Sequence, residues 1–242
     1  MPRDRMQSLW IGARLSAMEA LSIASFLHHG HEYDLFVYDD VANVPRGVTL
    51  RDAREILPRD RVFQYRQFAS VSGFSNMFRY KLLVERGGWW VDTDVVCLRP
   101  FEFGSDHVFA SEIADGNVSV SSCVLRAPKG SDAMHYALDV CEAKDPQQLE
   151  WGETGPRLMA EVVDLFGLRD AVQPPQTFCP LRYDEWARVL DDVALPDDAF
   201  AVHLWNEMWR RNACDKDATY CATSLYERLK REKRSAEETA LP

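Results

Sequence analysis

Apolar residues along the chain come in two arrangements, short β-prone runs and longer stretches with helical spacing, and the two alternate. Leu9, Trp10 and Ile11 form a first run; Ser16 then stands at a helix-capping position with Glu19 three residues on, and Gly30 closes that helix. The strongly β-prone residues 35–38 follow. A strand, helix, strand opening predicts two parallel strands joined by a right-handed crossover, the first half of a Rossmann-like α/β sheet. Ligands of such sheets collect at the carboxyl ends of strands, where Asp39 and Asp40 stand.

Residues 43–61 are rich in Pro, Arg and Asp and read as irregular, with a short helix around 51–56. A longer helix is expected from Ser72 or Ser75 through Glu85, stopped by Gly87. Residues 89–97 then read as one aromatic and β-branched strand interrupted only by Asp92, Thr93 and Asp94. Further strands are expected at 108–110 and 118–125, helices at 131–143, 156–166 and 183–190, and a last strand at 201–205. A final helix starts at Ser224. The pattern holds no internal repeat, so the expected organisation is a single domain over 1–223 with a helix and tail over 224–242.

Charge narrows the possible partners. A net charge of -10 argues against a nucleic-acid binder, and the basic run at 228–234 is interleaved with glutamates, as on a solvated helix face. Six cysteines without a C-x-x-C pair are read as reduced thiols in a cytoplasmic protein. No apolar run approaches the length of a membrane span, and no signal-like stretch follows Met1 to Arg5; association with the inner face of a membrane stays compatible with this.

The candidate chemistry lies in Asp92 and Asp94. Two carboxylates one residue apart in a strand-like stretch are costly to bury without a cation nearby. On an extended strand they share a side, roughly 6 to 7 Å apart from the rise per residue, and meet one Mg²⁺ or Mn²⁺ only if the chain bends or if one acts through water or a substrate hydroxyl. Upstream, Asn76 and Arg79 share a helix face, and Gly87 and Gly88 turn the chain from that helix into the acidic stretch. Trp90 falls on the Asp92 side and is expected to line a cleft, while Trp89 and Trp186 are read as core.

The run Ser75, Asn76, Met77, Phe78, Arg79, Tyr80, followed by Gly87, Gly88, Trp89, Trp90, Val91, Asp92, Thr93, Asp94, resembles the S-D-x-x-R-Y and G-G-x-Y-x-D-x-D core of the glycosyltransferase sugar-binding region containing a DXD motif. That group includes family 32 enzymes such as α1,4-galactosyltransferases and yeast mannosyltransferases and, more distantly, clostridial glucosylating toxins. Trp10, Ile11 and Gly12 look like its W-x-G element, and His203, Leu204, Trp205 with Trp209 like its H-x-W element. The resemblance implies a GT-A-like α/β/α sandwich with a mostly parallel sheet. It also implies transfer of a hexose or N-acetylhexosamine, with retained anomeric configuration, from a nucleotide diphosphate sugar, UDP favoured, to a carbohydrate or glycolipid acceptor, as in surface polysaccharide synthesis.

By the same resemblance Trp10 would stack on the base, and Asp39 or Tyr38 would seat the nucleoside. Ser75, Asn76 and Arg79 would meet the donor sugar or its phosphates, and Asp92 sugar or ribose hydroxyls. Asp94 would bind the metal with His203 and Asp92, and Trp205 would close over the diphosphate. Asn76 departs from the pattern, where an Asp is usual. Glu153, in a turn that looks like the family's T-G-P, ranks low as a catalytic group.

Two other readings stay open. Asp92 and Asp94 also fit the nucleophile loop of haloacid-dehalogenase-type phosphatases, with Asp191 and Asp192 imitating the late acidic pair, although that loop usually follows the first strand. A sugar-nucleotide-binding module without turnover is the other. The histidines His28, His29 and His31 lack the spacing of a closed metal site.

Overall fold

The structure, a computed structural model, describes residues 5–67 and 69–239. Met1 to Asp4 and the last three residues of the expected 224–242 segment lie outside the described residues. The chain runs β1 (Met6–Trp10), α1 (Ala17–His28), β2 (Tyr33–Val37), β3 (Thr49–Asp52), α2 (Ser72–Arg86), β4 (Gly88–Val91), β5 (Val95–Cys97), β6 (Val108–Ala114) and β7 (Asn117–Ala127). It continues with α3 (Asp132–Glu142), α4 (Leu158–Leu165), α5 (Pro175–Phe178), β8 (Ala201–His203), α6 (Asn206–Arg211) and α7 (Leu225–Thr239).

The main sheet has six strands in the order β3-β2-β1-β4-β7-β6, parallel from β3 to β4, with β7 running against both its neighbours. Successive side chains point to opposite faces, and this splits the core in two. Phe36, Trp90, Phe109 and Leu125 pack under α2, α3 and α4. Leu35, Trp89, Val108 and Val124 pack on the other face against α1 and the two-stranded β5-β8 sheet. The result is the expected α/β/α sandwich with a mostly parallel sheet. The helix α7 sets Leu225, Tyr226 and Leu229 against Met18 and Leu21 of α1 and against Trp209. Among the described residues no helix is long and apolar enough to cross a membrane.

The expected caps are present. Ser16 and Glu19 form a reciprocal capping box at α1, and Gly87 ends α2. Gly87 has φ +67°, and a Cβ there would lie 2.4 Å from the Lys129 backbone nitrogen, so only glycine makes the turn into β4.

Four expectations need correction. Residues 89–97 are not one strand: β4 ends at Val91, the Val95 amide donates to the Asp92 carbonyl at 3.1 Å, and β5 leaves to pair antiparallel with β8. A continued strand would carry both carboxylates into the sheet, whereas the turn lifts them out of it. The short helix expected around 51–56 is confined to a 3₁₀ helix over Ala53–Glu55, because Asp34 to Val37 draw the preceding residues into edge strand β3 as a parallel partner. Residues 183–190 wind as 3₁₀ helix with a break at Glu185. The last strand stops at His203, since Trp205 takes a left-handed backbone, φ +58°, and turns the chain into α6.

Candidate active site

The carboxyl ends of β1 and β4 open into a cleft of about 610 Å³, within the usual range for a small-molecule site. At its floor Arg79 of α2 is buried, 4% exposed, and held on every side. Its guanidinium donates to the Ser122 carbonyl, to Ser75 Oγ at 3.3 Å and to Asp92 Oδ1 at 3.2 Å, and lies 4.8 Å above the Trp90 ring. Trp90 Nε1 donates to the same Asp92 oxygen at 2.8 Å. Trp90 therefore reaches the Asp92 side while staying packed, and Trp89 is core against Phe101 and Phe103. Trp186 is half-buried against Trp209.

Asp94 is held from the opposite end of the chain. Its Oδ2 accepts from the Asn206 amide at 2.8 Å and lies 3.2 Å from His203 Nε2, while Leu204 N–H donates to its carbonyl at 2.8 Å. The His203 and Trp205 rings are 3.9 Å apart, and the Trp205 indole N–H donates to the Leu181 carbonyl at 2.9 Å. One ligand atom each from Asp92, Asp94 and His203 lie within 4.8 Å of one another. Two carboxylates and an imidazole are a hard oxygen and borderline nitrogen set, which suits Mg²⁺ or Mn²⁺. Cys123 and Cys179 stand behind His203, their sulfurs 3.6 Å apart.

Electrostatics fit a cation between these groups. Burial pushes the Asp92 carboxyl up to about 6, with Asp94 adding to the rise and Arg79 opposing it. Burial acts in the same direction on Asp94, but the His203 charge and hydrogen bond, with the Asn206 N–H, outweigh it and leave the group below its usual range. His203 is the converse: burial lowers it, yet Asp94 and the Cys123 thiol hold it well above the usual imidazole value. Without metal, Arg79 and a protonated His203 face the two acids, and a divalent ion would take the place of the His203 proton.

Ser75 and Asn76 also line the cleft, and Asn76 is buried with its amide donating to Thr154 Oγ1 at 3.3 Å. That contact explains the close approach of the 152–157 turn: a Cβ on Gly155 would come within 3.2 Å of the Asn76 amide. Trp10 lines the far side, its buried Nε1 without a hydrogen-bond partner, and a Cβ on Gly12 would crowd that nitrogen at 3.2 Å.

Other expected residues lie elsewhere. Tyr38 is buried and donates its hydroxyl to the Leu57 carbonyl at 2.8 Å, and Asp39 pairs with Arg59; neither lines the cleft, because residues 53–62 cover the end of β2. Glu153 faces Lys144, 2.7 Å away, and is outside the cleft lining. Asp192 pairs with Arg228 rather than with the acidic cluster, and three strands precede β4 in the chain, which leaves the phosphatase reading without its second acidic pair. His31 Nε2 accepts from the Phe101 amide at 3.0 Å as part of the core.

Sequence reasoning missed Glu112. It is 9% exposed on β6, lines the cleft, and burial pushes its carboxyl up to about 7, Cys123 adding to the rise and His203 and Ser121 opposing it. Its one mark in the sequence is that it is the charged member of β6.

Residues 19–114, which carry α2, the acidic turn and Glu112, match the model of the glycosyltransferase sugar-binding region containing DXD motif. The match covers less than half of the chain. The DXD region leaves out Trp10, His203 and Trp205, which the fold adds from either side. A human alpha-1,4-N-acetylglucosaminyltransferase is 28% identical over 157 residues, 55% of this chain and 42% of the relative. The chain therefore spans less than half the length of that relative. Among solved structures, the PaToxG glycosyltransferase superposes with a TM-score of 0.50 at 16% identity, covering 69% of this chain and 72% of that one. The glycosyltransferase GlyE of Streptococcus pneumoniae gives 0.50 at 14% identity over 97% of this chain and 65% of that one. Likeness at this level establishes the GT-A α/β/α fold around the DXD region.

Proposed function

We propose that the protein is a metal-dependent, retaining glycosyltransferase that moves a hexose or N-acetylhexosamine from a UDP-sugar to a hydroxyl of a carbohydrate or glycolipid acceptor. The observation that carries this reading is the meeting of Asp92, Asp94 and His203 beside the buried Arg79 in one cleft. Asp94 and His203, with Asp92, are the residues to hold Mn²⁺ or Mg²⁺, which when bound would draw off negative charge from a leaving diphosphate.

The chain's own groups have separate work. Arg79, tied to Ser75 and Ser122, fixes the Asp92 carboxylate and adds positive field at the cleft floor. Trp10, with an indole N–H free to donate, is the surface for the base; Tyr38 and Asp39 drop out of that role in this reading. Ser75 and Asn76 face the donor sugar, and Trp205, pinned by its bond to Leu181, closes the diphosphate end. Retention, transfer to surface polysaccharide, and a cytoplasmic place at or near a membrane face rest on the family resemblance and the sequence. So does the division at 223, with α7 bracing α1.

The test is release of UDP from UDP-N-acetylglucosamine, UDP-galactose and UDP-glucose with Mn²⁺, Mg²⁺ or EDTA. Metal-dependent release that Asp94→Asn removes supports the reading. Full release in the mutant, or phosphate release from a phosphomonoester with no sugar nucleotide present, overturns it.

A further inference from the structure

Among the described residues, the buried carboxylates have cationic or imidazole partners in all but one case. Glu19 meets Lys216, Asp34 meets Arg5 and Arg51, Glu227 meets Lys230, and Asp94 meets His203. Glu112 has no ion pair among the described residues, yet it is as buried as Glu227 and faces the cleft. A buried acid with no counter-charge is costly unless a hydrogen-bond donor meets it. The cleft side supplies the Ser121 hydroxyl from β7, the diagonal cross-strand neighbour of Glu112, whose direct partner is Ser119, and the charge of His203 at a distance without an ion pair. A ligand rich in donors is the missing partner, and a sugar ring is such a ligand.

The sheet order says which sugar. Trp10 ends β1, the acidic turn ends β4, and Glu112 lies beyond β7 on edge strand β6. With strands about 4.8 Å apart, β6 is about 14 Å from β1 across the sheet. A base on Trp10 with its diphosphate at Asp94 therefore points the reacting end of the donor toward β6, and the wall of the cleft there meets what lies past the anomeric carbon. Tyr183 stands on the same wall, its hydroxyl 3.2 Å from Asp115 at the β6-β7 turn.

Building on the glycosyltransferase reading, we propose that Glu112, with Ser121, is the acceptor-sugar seat: its carboxyl accepts a hydrogen bond from an acceptor hydroxyl or acetamido N–H next to the attacking hydroxyl and sets which acceptor sugar is used. A site built around such a bond discriminates strongly against acceptors lacking the donor group, because the acid is then left unpaired.

The experiment compares wild type, Glu112→Gln and Glu112→Ala in two assays with UDP-N-acetylglucosamine and Mn²⁺: UDP release without acceptor, and transfer to p-nitrophenyl glycosides of galactose, N-acetylgalactosamine, glucose and mannose. The expected result is an acceptor KM raised about 10-fold or more in Glu112→Ala and a reordered acceptor preference in Glu112→Gln, with donor KM and acceptor-free release moving less than about 3-fold. The near-isosteric Gln variant carries the test if the Ala variant does not fold. Loss of acceptor-free release in step with transfer would place Glu112 on the donor and overturn the proposal, as would unchanged acceptor KM and preference. Should the wild type release UDP from no nucleotide sugar, the function reading falls first and this inference with it.

Discussion

Asp34 and the pair Asp92 and Asp94 are all carboxylates at the sheet, and they differ in how their charge is met. Asp34, near the start of β2, is 2% exposed and clamped by Arg5 at 2.7 Å and Arg51 at 3.1 Å, two cations for one acid. Asp92 and Asp94 share one arginine and one histidine, and their surroundings drive the first up and the second down. A matched cluster is complete without a ligand and serves folding. The acidic turn is matched only while His203 keeps its proton, and a divalent ion can take that proton's place. The comparison teaches that burial alone does not mark a functional acid; the balance of charge around it does.

The comparison breaks most sharply at turnover. Asp94→Asn should cut UDP release about 100-fold or more, since a metal's charge stabilisation is worth several kcal/mol, while Asp34→Ala leaves it within about 2-fold. The loss of Asp34 should show instead in stability. Asp34→Ala is expected to lose about 2 kcal/mol, at the low end for a broken buried pair because both arginines are more than a third exposed, and to lower Tm by several degrees in a thermal melt.

Metal sharpens it further. Mn²⁺ at about 100 times its Kd should stabilise the wild type by about 2.7 kcal/mol, and the rise in Tm should vanish in Asp92→Asn or Asp94→Asn but persist in Asp34→Ala. An undiminished Mn²⁺ shift in both cluster mutants moves the ion elsewhere.

The smallest expected effect is one of pH. Glu112, raised to about 7 mainly by burial, binds its proton more tightly folded than unfolded. Its stabilising contribution is therefore complete below its unfolded value near 4.5 and is lost as pH rises through 7. Without ligand, Tm should decline over that window, and Glu112→Gln should flatten the decline. An identical pH profile in the mutant removes Glu112 as its source.

Much of the scaffold was legible because it is local. The capping box at Ser16 and Glu19, the Gly87 stop and the β-prone runs each act over a few residues, and they predicted β1, α1, β2 and α2 in order. The Asn76 and Arg79 step put two polar groups on one helix face, and the structure finds both lining the cleft. Legibility failed where a segment's state depends on its partner. Residues 89–97 have strand propensity throughout, and only the competing pairings with β7 and β8 split them. Tyr38 and Asp39 sit at a strand end that looks open in the sequence, until Leu57 and Arg59 come across it.

From the sequence alone came the α/β order, the helix that carries Arg79 and the paired acids, because periodicity, caps and motif spacing are properties of neighbouring residues. The tertiary structure decided that the acids leave the sheet on a turn, that His203 arrives from 109 positions away to meet Asp94, and that Glu112 is buried with no ion pair among the described residues. Those outcomes depend on which distant groups share a low-dielectric cleft, and charge balance at such a place is settled only when the chain has closed around it.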